Sequence, residues 1–415
     1  MQNSERALRE RRDLALLTGT RAGEMLRLAV ADRGILRSWA VHQVHHRPGA
    51  GVSVGYTIIV DANEDRRRTD MYVVASTARI KDDQIFDAQG KILRFGETRV
   101  AIWEHPNDPE LSALKLACSP ALLSDFLEEQ VDIELLGYRP TRRAVVKIER
   151  ERGSALYGKV VRESEQSDLE RRLELVTKAG IPAPMVYKST RGFVVMTPVA
   201  GTPLSKFFSG VEIAQAKQQR SVLQSLEQCL DSLPYLALGM PKRAAWVDRC
   251  EHYAHAAALA LPEYEDRCHM VATHIRELLH DADLGPVVPV HGDFYEANIY
   301  VDPGSGELTG LLDLDSLSPG HRVHDWACLL AHMSVLPSLA PQPYRAVERI
   351  TDDWFEALNS RVDPVALCAS AAGVVISLVA GARKQRKQWN TEAENRLRIA
   401  ESWVERGQRL HKEGY

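Results

Sequence analysis

Several things are scarce or missing in this 415-residue chain. Its six cysteines (Cys118, Cys229, Cys250, Cys268, Cys328 and Cys368) lie far apart with no C-x-x-C pair, which argues against a disulfide framework and against a structural zinc site. Reduced thiols and a cytoplasmic location are the expectation. An excess of positive charge is lacking too: 52 Lys+Arg stand against 56 Asp+Glu, a formal charge of -4, so no long phosphate-tracking surface for nucleic acid is expected. The first turns carry Glu5, Arg6, Arg9, Glu10, Arg11, Arg12 and Asp13, without the apolar core or small-residue cleavage site of a secretion signal. One charge-free run, residues 365–382, is long enough nearly to cross a bilayer, but its alanines, glycines and serines suit a helix buried on all sides in a helical lobe. No membrane partner is expected. Two nucleotide signatures are also absent: the Walker pattern and a G-x-G-x-x-G.

What is present is enough apolar residue, 45%, for two or three packed units. Helical periodicity is expected over residues 3–19 and 21–31. Short Val-, Ile- and aromatic-rich segments at 53–61, 71–75 and 99–103 then predict strands, with the charged run 63–68 as a hairpin loop between the first two. Residues 131–204 predict the order β-β-β-α-β-β: strands at 131–138, 144–150 and 155–162, a helix over 167–179, then strands at 185–187 and 193–196. Beyond 203 long helices dominate, at 211–233, 244–260, 264–282, 322–335, 344–358, 365–382 and 392–408, interrupted by one strand-rich island at 287–314. Strands gathered in one region and helices in another predict an α+β chain. A faint internal echo links Arg47-Pro48-Gly49 and the later Met71-Tyr72-Val73-Val74 with Arg139-Pro140-Thr141 and Leu156-Tyr157-Gly158-Lys159; in that register Val74 falls where Lys159 stands.

The strongest chemical signal is His291-Gly292-Asp293-Phe294-Tyr295-Glu296-Ala297-Asn298, followed by Asp313-Leu314-Asp315. A strand enters a tight loop bearing an Asp and, five residues on, an Asn; the chain turns at Asp302-Pro303-Gly304 and returns to deliver a second Asp. Phosphoryl transfer from a nucleotide needs such a set: a carboxylate to orient and deprotonate a hydroxyl, and an amide with a carboxylate to hold magnesium on phosphates. Oxygen donors without thiolate disfavour zinc. His321, His324 and His332 lie nearby, and their spacing suits packing better than metal binding.

These residues resemble the aminoglycoside phosphotransferase and choline kinase superfamily, which shares H-G-D-x-x-x-x-N followed by two apolar residues and Asp; the resemblance runs from about residue 131 to the C-terminus. It implies a bilobal protein-kinase-like fold, with residues 126–200 as the N-lobe, 201–415 as a helical C-lobe, and 1–125 as an additional N-terminal α+β domain. It further implies that Asp293 is the catalytic base, that Asn298 and Asp313 are the magnesium ligands, and that Asp325 of His324-Asp325-Trp326-Ala327 braces the catalytic loop. Lys159 is implied as the phosphate-binding cation, with Lys147 the alternative. Glu170 is its pairing glutamate, with Glu174 one turn later as rival. The turn at residues 137–143 covers the phosphates, with Arg142 or Arg143 in reach of them, and adenine meets the Thr197 carbonyl and the Val199 amide, since Pro198 has no N–H. The cofactors implied are ATP and Mg2+, and the acceptor is a hydroxyl of a sugar, an amino sugar or an aminoglycoside. The N-terminal domain is also similar to the cap of bacterial maltokinase-like sugar kinases, although Phe294-Tyr295-Glu296 departs from their usual run. Two other readings differ in class: a non-catalytic nucleotide- or sugar-sensing binding protein, and a docking role for residues 1–125.

Overall fold

The computed structural model describes residues 2–47, 51–62, 68–209, 216–382 and 389–414. The chain divides into two compact units, Met1–Ser167 with Val186–Pro198, and Asp168–Met185 with Val199–Tyr415.

In the first unit, α1 (Gln2–Thr18) and α2 (Arg21–Ala29) are amphipathic; Ala22, Met25, Leu26 and Ala29 repeat at helical spacing and are buried. They pack on one face of a sheet made by β1 (Gly34–Arg47), β2 (Gly51–Ala62), β3 (Arg68–Ser76), β4 (Lys91–Phe95) and β5 (Thr98–Glu104), with α3 (Asp82–Asp87) between β3 and β4. After α4 (Leu114–Ala117) and α5 (Pro120–Leu127) a second sheet follows: β6 (Val131–Arg139), β7 (Arg143–Arg150), β8 (Leu156–Val161), β9 (Val186–Thr190) and β10 (Phe193–Met196), with α6 (Glu163–Lys178) between β8 and β9. The predicted β-β-β-α-β-β order is therefore present, and β1 and β4 are additions that the periodicity did not reveal. Both are edge strands whose apolar residues come in short groups broken by polar ones, Arg37, Ser38, His42 and Gln43 in β1 and Arg94 in β4.

The two sheets share one plan. Their strand orders are β1-β2-β3-β5-β4 and β6-β7-β8-β10-β9, with a helix at the same step of each. The sequence echo thus has a structural counterpart, but its register needs correction. The closing pairs of the two first hairpins are Arg47–Gly51 and Arg139–Arg143, each around three residues; two residues further in, Ser53 faces Ser76 in one sheet and Val145 faces Lys159 in the other. Ser76, not Val74, stands opposite in the place of Lys159. The charged run 63–68 lies outside the described residues except for Arg68, which opens β3.

Strand alternation builds a core between the sheets. Val74, Ala101 and Trp103 of the first meet Ala144, Val146, Ile148, Val160, Phe193 and Val195 of the second, with Leu114, Ala117, Leu123 and Leu127 of α4 and α5. Lys159 takes the other face of β8. Gly158 permits the close contact: a Cβ there would sit 2.5 Å from the Phe193 ring.

The second unit opens with β11 (Thr202–Pro203), α7 (Leu204–Phe208) and α8 (Ala216–Asp231); residues 211–215 of the expected helix lie outside the described residues. The helix expected from 244 begins as a short 3-10 turn, Val247–Arg249, and becomes α9 (Cys250–Ala260), followed by α10 (Glu265–Asp281). The strand island holds β12 (Val287–Val290), β13 (Ile299–Val301) and β14 (Leu308–Leu311), and continues to β15 (Ser318–His321), which pairs with β12, while β11, β13 and β14 form a separate small sheet. Then come α11 (Arg322–Leu339), α12 (Val347–Leu358), α13 (Pro364–Val379) and α14 (Trp389–Glu413). The charge-free run forms α13, capped by the Asp363 carboxylate, which accepts from the Val365 and Ala366 N–H groups. It packs among α9, α10, α11 and α14. With the short turn that follows it, the stretch Pro364–Ala382 is long and apolar enough to cross a membrane, and 78% of its 18-residue apolar window is buried inside the structure.

Candidate active site

Strand β12 delivers the chain into residues 291–298, and the loop is held by buried polar contacts. Gly292 has φ +79°, and a Cβ there would lie 2.8 Å from the Ser316 carbonyl oxygen, so the bend requires glycine. Asp325, in the first turn of α11, is fully buried; its carboxylate accepts the N–H groups of His291 at 3.0 Å and Gly292 at 2.9 Å. Arg322 reaches the same carboxylate at 3.4 Å and donates to the Leu230 carbonyl at 2.7 Å. The buried Phe294 ring meets His291 and Trp326 edge-on. The loop's backbone geometry is thus set by a buried anion and by an apolar anchor.

His291 joins this loop to the strand that brings back the second aspartate. Its Nε2 lies 2.9 Å from the Leu312 carbonyl oxygen, and its Nδ1 lies 3.2 Å from the Asp293 N–H. A carbonyl can only accept and a backbone N–H can only donate, so the ring carries its proton on Nε2. Asn298 supplies the second tie: its Nδ2 donates to the Asp293 carbonyl at 3.0 Å, which turns Oδ1 to the opposite side. Its own carbonyl accepts the Leu312 N–H at 2.8 Å, continuing the pairing of Ile299 with Leu311. Asn298 and Asp313 therefore sit at the same open end of the β13–β14 hairpin, which is the physical meaning of their spacing. Asp313 has φ +55°, in the left-handed region that Asp tolerates better than most side chains.

Helix α6 is knit to the same region within the second unit. Arg172, buried at 3% exposure, donates from Nε to the Leu317 carbonyl at 3.2 Å, and the Leu311 N–H donates to the Pro182 carbonyl at 2.8 Å. Of the two rival glutamates, Glu174 is exposed and bonds Lys178 at 2.6 Å, while Glu170 is half-buried. In the first unit, Lys159 is buried between Val145 and Val194, on the face it shares with Tyr157; Lys147 on β7 is partly exposed and paired with Glu149. Arg142 is exposed and Arg143 half-buried at the start of β7.

The chain passes from the first unit to the second between Pro198 and Val199, so Thr197 belongs to one and Val199 to the other. Val199 lies over Gly310, where a Cβ would come within 2.6 Å of it, and Thr309 donates to the Ala200 carbonyl at 2.8 Å. The start of the second unit is thereby fixed to the hairpin that carries Asn298 and Asp313.

Near this loop lie Glu296, within the run from His291 to Asn298, and the three histidines noted from the sequence. Glu296, 6% exposed, is pushed up to about 7 by burial, and its Oε2 has no hydrogen-bond partner. His332, 3.8 Å from that oxygen, stacks on Tyr295 and is lowered to about 4 by burial and by Arg396. His321 contacts the Gly285 carbonyl at 2.8 Å, and His324 is held down by burial. Among the described residues, no group of three His, Cys, Asp or Glu side chains could hold a metal. An amide oxygen and a carboxylate at one hairpin end nevertheless fit magnesium, which takes few protein oxygens and completes its shell with phosphates and water.

Residues 135–359, more than half of the chain, match the family model of the phosphotransferase enzyme family, and the chain belongs to that family. The resemblance drawn from the H-G-D-x-x-x-x-N run is thereby borne out. No curated protein matches the chain. Among solved structures, it is similar to a Ralstonia eutropha protein assigned to the aminoglycoside phosphotransferases (16% identity, TM-score 0.46, covering 69% of this chain and 97% of that one). Choline kinase from Cryptosporidium parvum is also similar (10%, 0.43, 68% and 91%), as is Plasmodium vivax ethanolamine kinase (14%, 0.40, 65% and 82%).

Proposed function

We propose that the protein is an ATP-dependent small-molecule kinase whose acceptor is a hydroxyl of a sugar, an amino sugar or an aminoglycoside. The observation that carries this reading is the bonded network Asp293–Asn298–Leu312, with Asp313 next in the chain, braced by Asp325. In the proposed reaction Asp293 orients the acceptor hydroxyl and takes its proton. The hydroxyl oxygen bonds the γ-phosphorus of ATP, the bond from that phosphorus to the β,γ-bridging oxygen breaks, and ADP leaves. Asn298 and Asp313 would hold Mg2+, which when bound offsets phosphate charge. Lys159, aimed by Glu170, meets the α- and β-phosphates, and the Thr197 carbonyl and Val199 amide meet adenine. Residues 126–200 and 201–415 act as the nucleotide and acceptor lobes, with 1–125 as an additional domain. The test is ADP formation from ATP against a panel of sugars, amino sugars, aminoglycosides and choline, with magnesium omitted in a control. Asp293→Asn should lower the transfer rate by roughly 10²- to 10⁴-fold with ATP still bound. Transfer undiminished in that variant would refute the role of Asp293. Nucleotide binding without transfer to any acceptor would favour a sensing protein.

A further inference from the structure

The turn between β6 and β7, residues 140–142, is not a free flap. Pro140 and Thr141 are buried, and Thr141 has φ +61°. One side chain accounts for this. Asp108, 4% exposed in the segment that follows β5, accepts the Thr141 N–H at 2.8 Å and the Tyr138 hydroxyl at 2.6 Å on Oδ2, and the Glu110 N–H at 2.9 Å on Oδ1. The Tyr138 oxygen in turn accepts from Trp103 Nε1 at 3.1 Å, and Trp103 is a buried residue of β5. The Tyr138 ring also meets His105 and Tyr72 edge-on. A hydrogen-bonded chain thus runs from the first sheet through Tyr138 and Asp108 to the backbone of the turn. A buried carboxylate is costly unless its lone pairs are filled, and here three donors fill them. A second pair of contacts acts near the end of β8: Arg162 pairs with Glu110 at 2.6 Å, and Ser112 donates to Glu163 at 2.8 Å.

From this geometry we infer that Asp108 is a positioning residue for nucleotide phosphates: the N-terminal domain holds, through it, the turn that covers them. The inference rests on the kinase reading, because that reading makes the turn a phosphate cover. It explains how the chain manages without a G-x-G-x-x-G. Glycine-rich loops gain phosphate contacts through backbone freedom, whereas this turn has its conformation fixed from behind.

The test is isothermal calorimetry on the full chain with adenosine, ADP and magnesium-ATP, for the parent and for D108A, D108N and Y138F. In D108A, ATP affinity should fall about tenfold, the value of one charge-assisted hydrogen bond, while adenosine affinity stays the same. D108N keeps an oxygen for Thr141 and Tyr138 and loses only the Glu110 contact; Y138F loses only the hydroxyl. Both should fall less, about threefold, and they carry the test should D108A not fold. ATP affinity within twofold of the parent in folded D108A, or an equal loss for adenosine and ATP, would overturn the inference. Asp313→Asn serves as the control for the reading beneath it. If the parent binds no nucleotide, the kinase reading itself fails; if the parent binds and Asp313→Asn weakens binding while the Asp108 variants do not, only the positioning role fails.

Discussion

Replacing Asp325 by Asn changes one atom pair and little volume, so its effect isolates the carboxylate. In the native loop both carboxylate oxygens accept backbone donors, His291 N–H and Gly292 N–H, and the side chain is fully buried. An amide can offer only one oxygen; its NH2 must face the other N–H, leaving that donor unmet in a dry site. An unsatisfied buried donor costs about 1–3 kcal/mol, and the lost charge on the surviving bond adds to it, so about 2–3 kcal/mol is expected. Asp325→Ala orphans both donors and leaves Arg322 without its carboxylate, in the range of about 3–5 kcal/mol seen when a buried pair is broken. For a unit of this size each kcal/mol moves the melting temperature by roughly 2–4 °C. Scanning calorimetry of the full chain should therefore show losses of roughly 4–12 °C for Asn and larger for Ala. Phosphate transfer should fall with the loop geometry in both. A melting temperature within 1–2 °C of the parent in Asp325→Asn would refute the claim that this carboxylate carries two buried amide bonds.

Three further outcomes are expected. Glu170→Gln should lower kcat/KM for ATP by about tenfold, the value of a charge-assisted contact, and Glu174→Gln should leave it unchanged, because Glu174 bonds Lys178 on the exposed side of α6; steady-state kinetics with ATP varied separates the two. The same comparison between Lys159→Met and Lys147→Met should show loss only in the first, Lys147 being partly exposed and paired with Glu149. For His332, burial holds the folded pKa near 4, below its unfolded value of about 6.5. The unfolded chain then binds a proton that the fold refuses. This contribution is intact above pH 6.5 and is lost as pH falls from 6.5 towards 4. With a fifth of the side chain exposed, about 2 kcal/mol rather than the full 3 is expected. His332→Gln should flatten that part of the melting-temperature profile, and an unchanged profile would refute it.

The residues that were legible in the sequence are those whose chemistry is local. The loop from His291 to Asn298 and the hairpin that returns Asp313 lie within 23 residues, with a Pro-Gly turn between them, so their convergence follows from chain connectivity. The helical lobe was legible for a similar reason, since α10, α12 and α14 carry an apolar periodicity while α11 and α13 are apolar over most of their length. What spacing hid is what only packing creates. Glu296 and His332 are 36 positions apart and become neighbours because α11 lies beside the loop; each, taken alone, looks like an ordinary surface residue. Arg172 contacts Leu317 across 145 positions. Asp108 sits in a stretch with no periodicity, and nothing in its neighbours marks it as a buried acceptor of three bonds. Edge strands β1 and β4 escaped because their apolar residues come in short groups broken by Arg, Ser, His and Gln, or because, as in β4, the strand is only five residues long.

The two sheets of the first unit show how one plan serves two ends. Counting in from the matched hairpins, Lys159 in the second sheet corresponds to Ser76 in the first, and Ser76 is fully buried beside Ser53, 2.7 Å between hydroxyls. Its face is the one that carries Val74, Ala101 and Trp103 into the core against Val146, Val160 and Phe193. In the second sheet the corresponding face is the other one, turned away from that core. The first sheet therefore has no cation at the matching position, and the face that would present one is closed by apolar packing. A second phosphate site there would need a buried lysine without a carboxylate, a charge that such a core does not stabilise. The same packing puts Trp103 within bonding distance of Tyr138, and so ties the first sheet to the turn at residues 140–142. The first sheet is thus joined to the second by a shared core, and to the turn by one buried carboxylate.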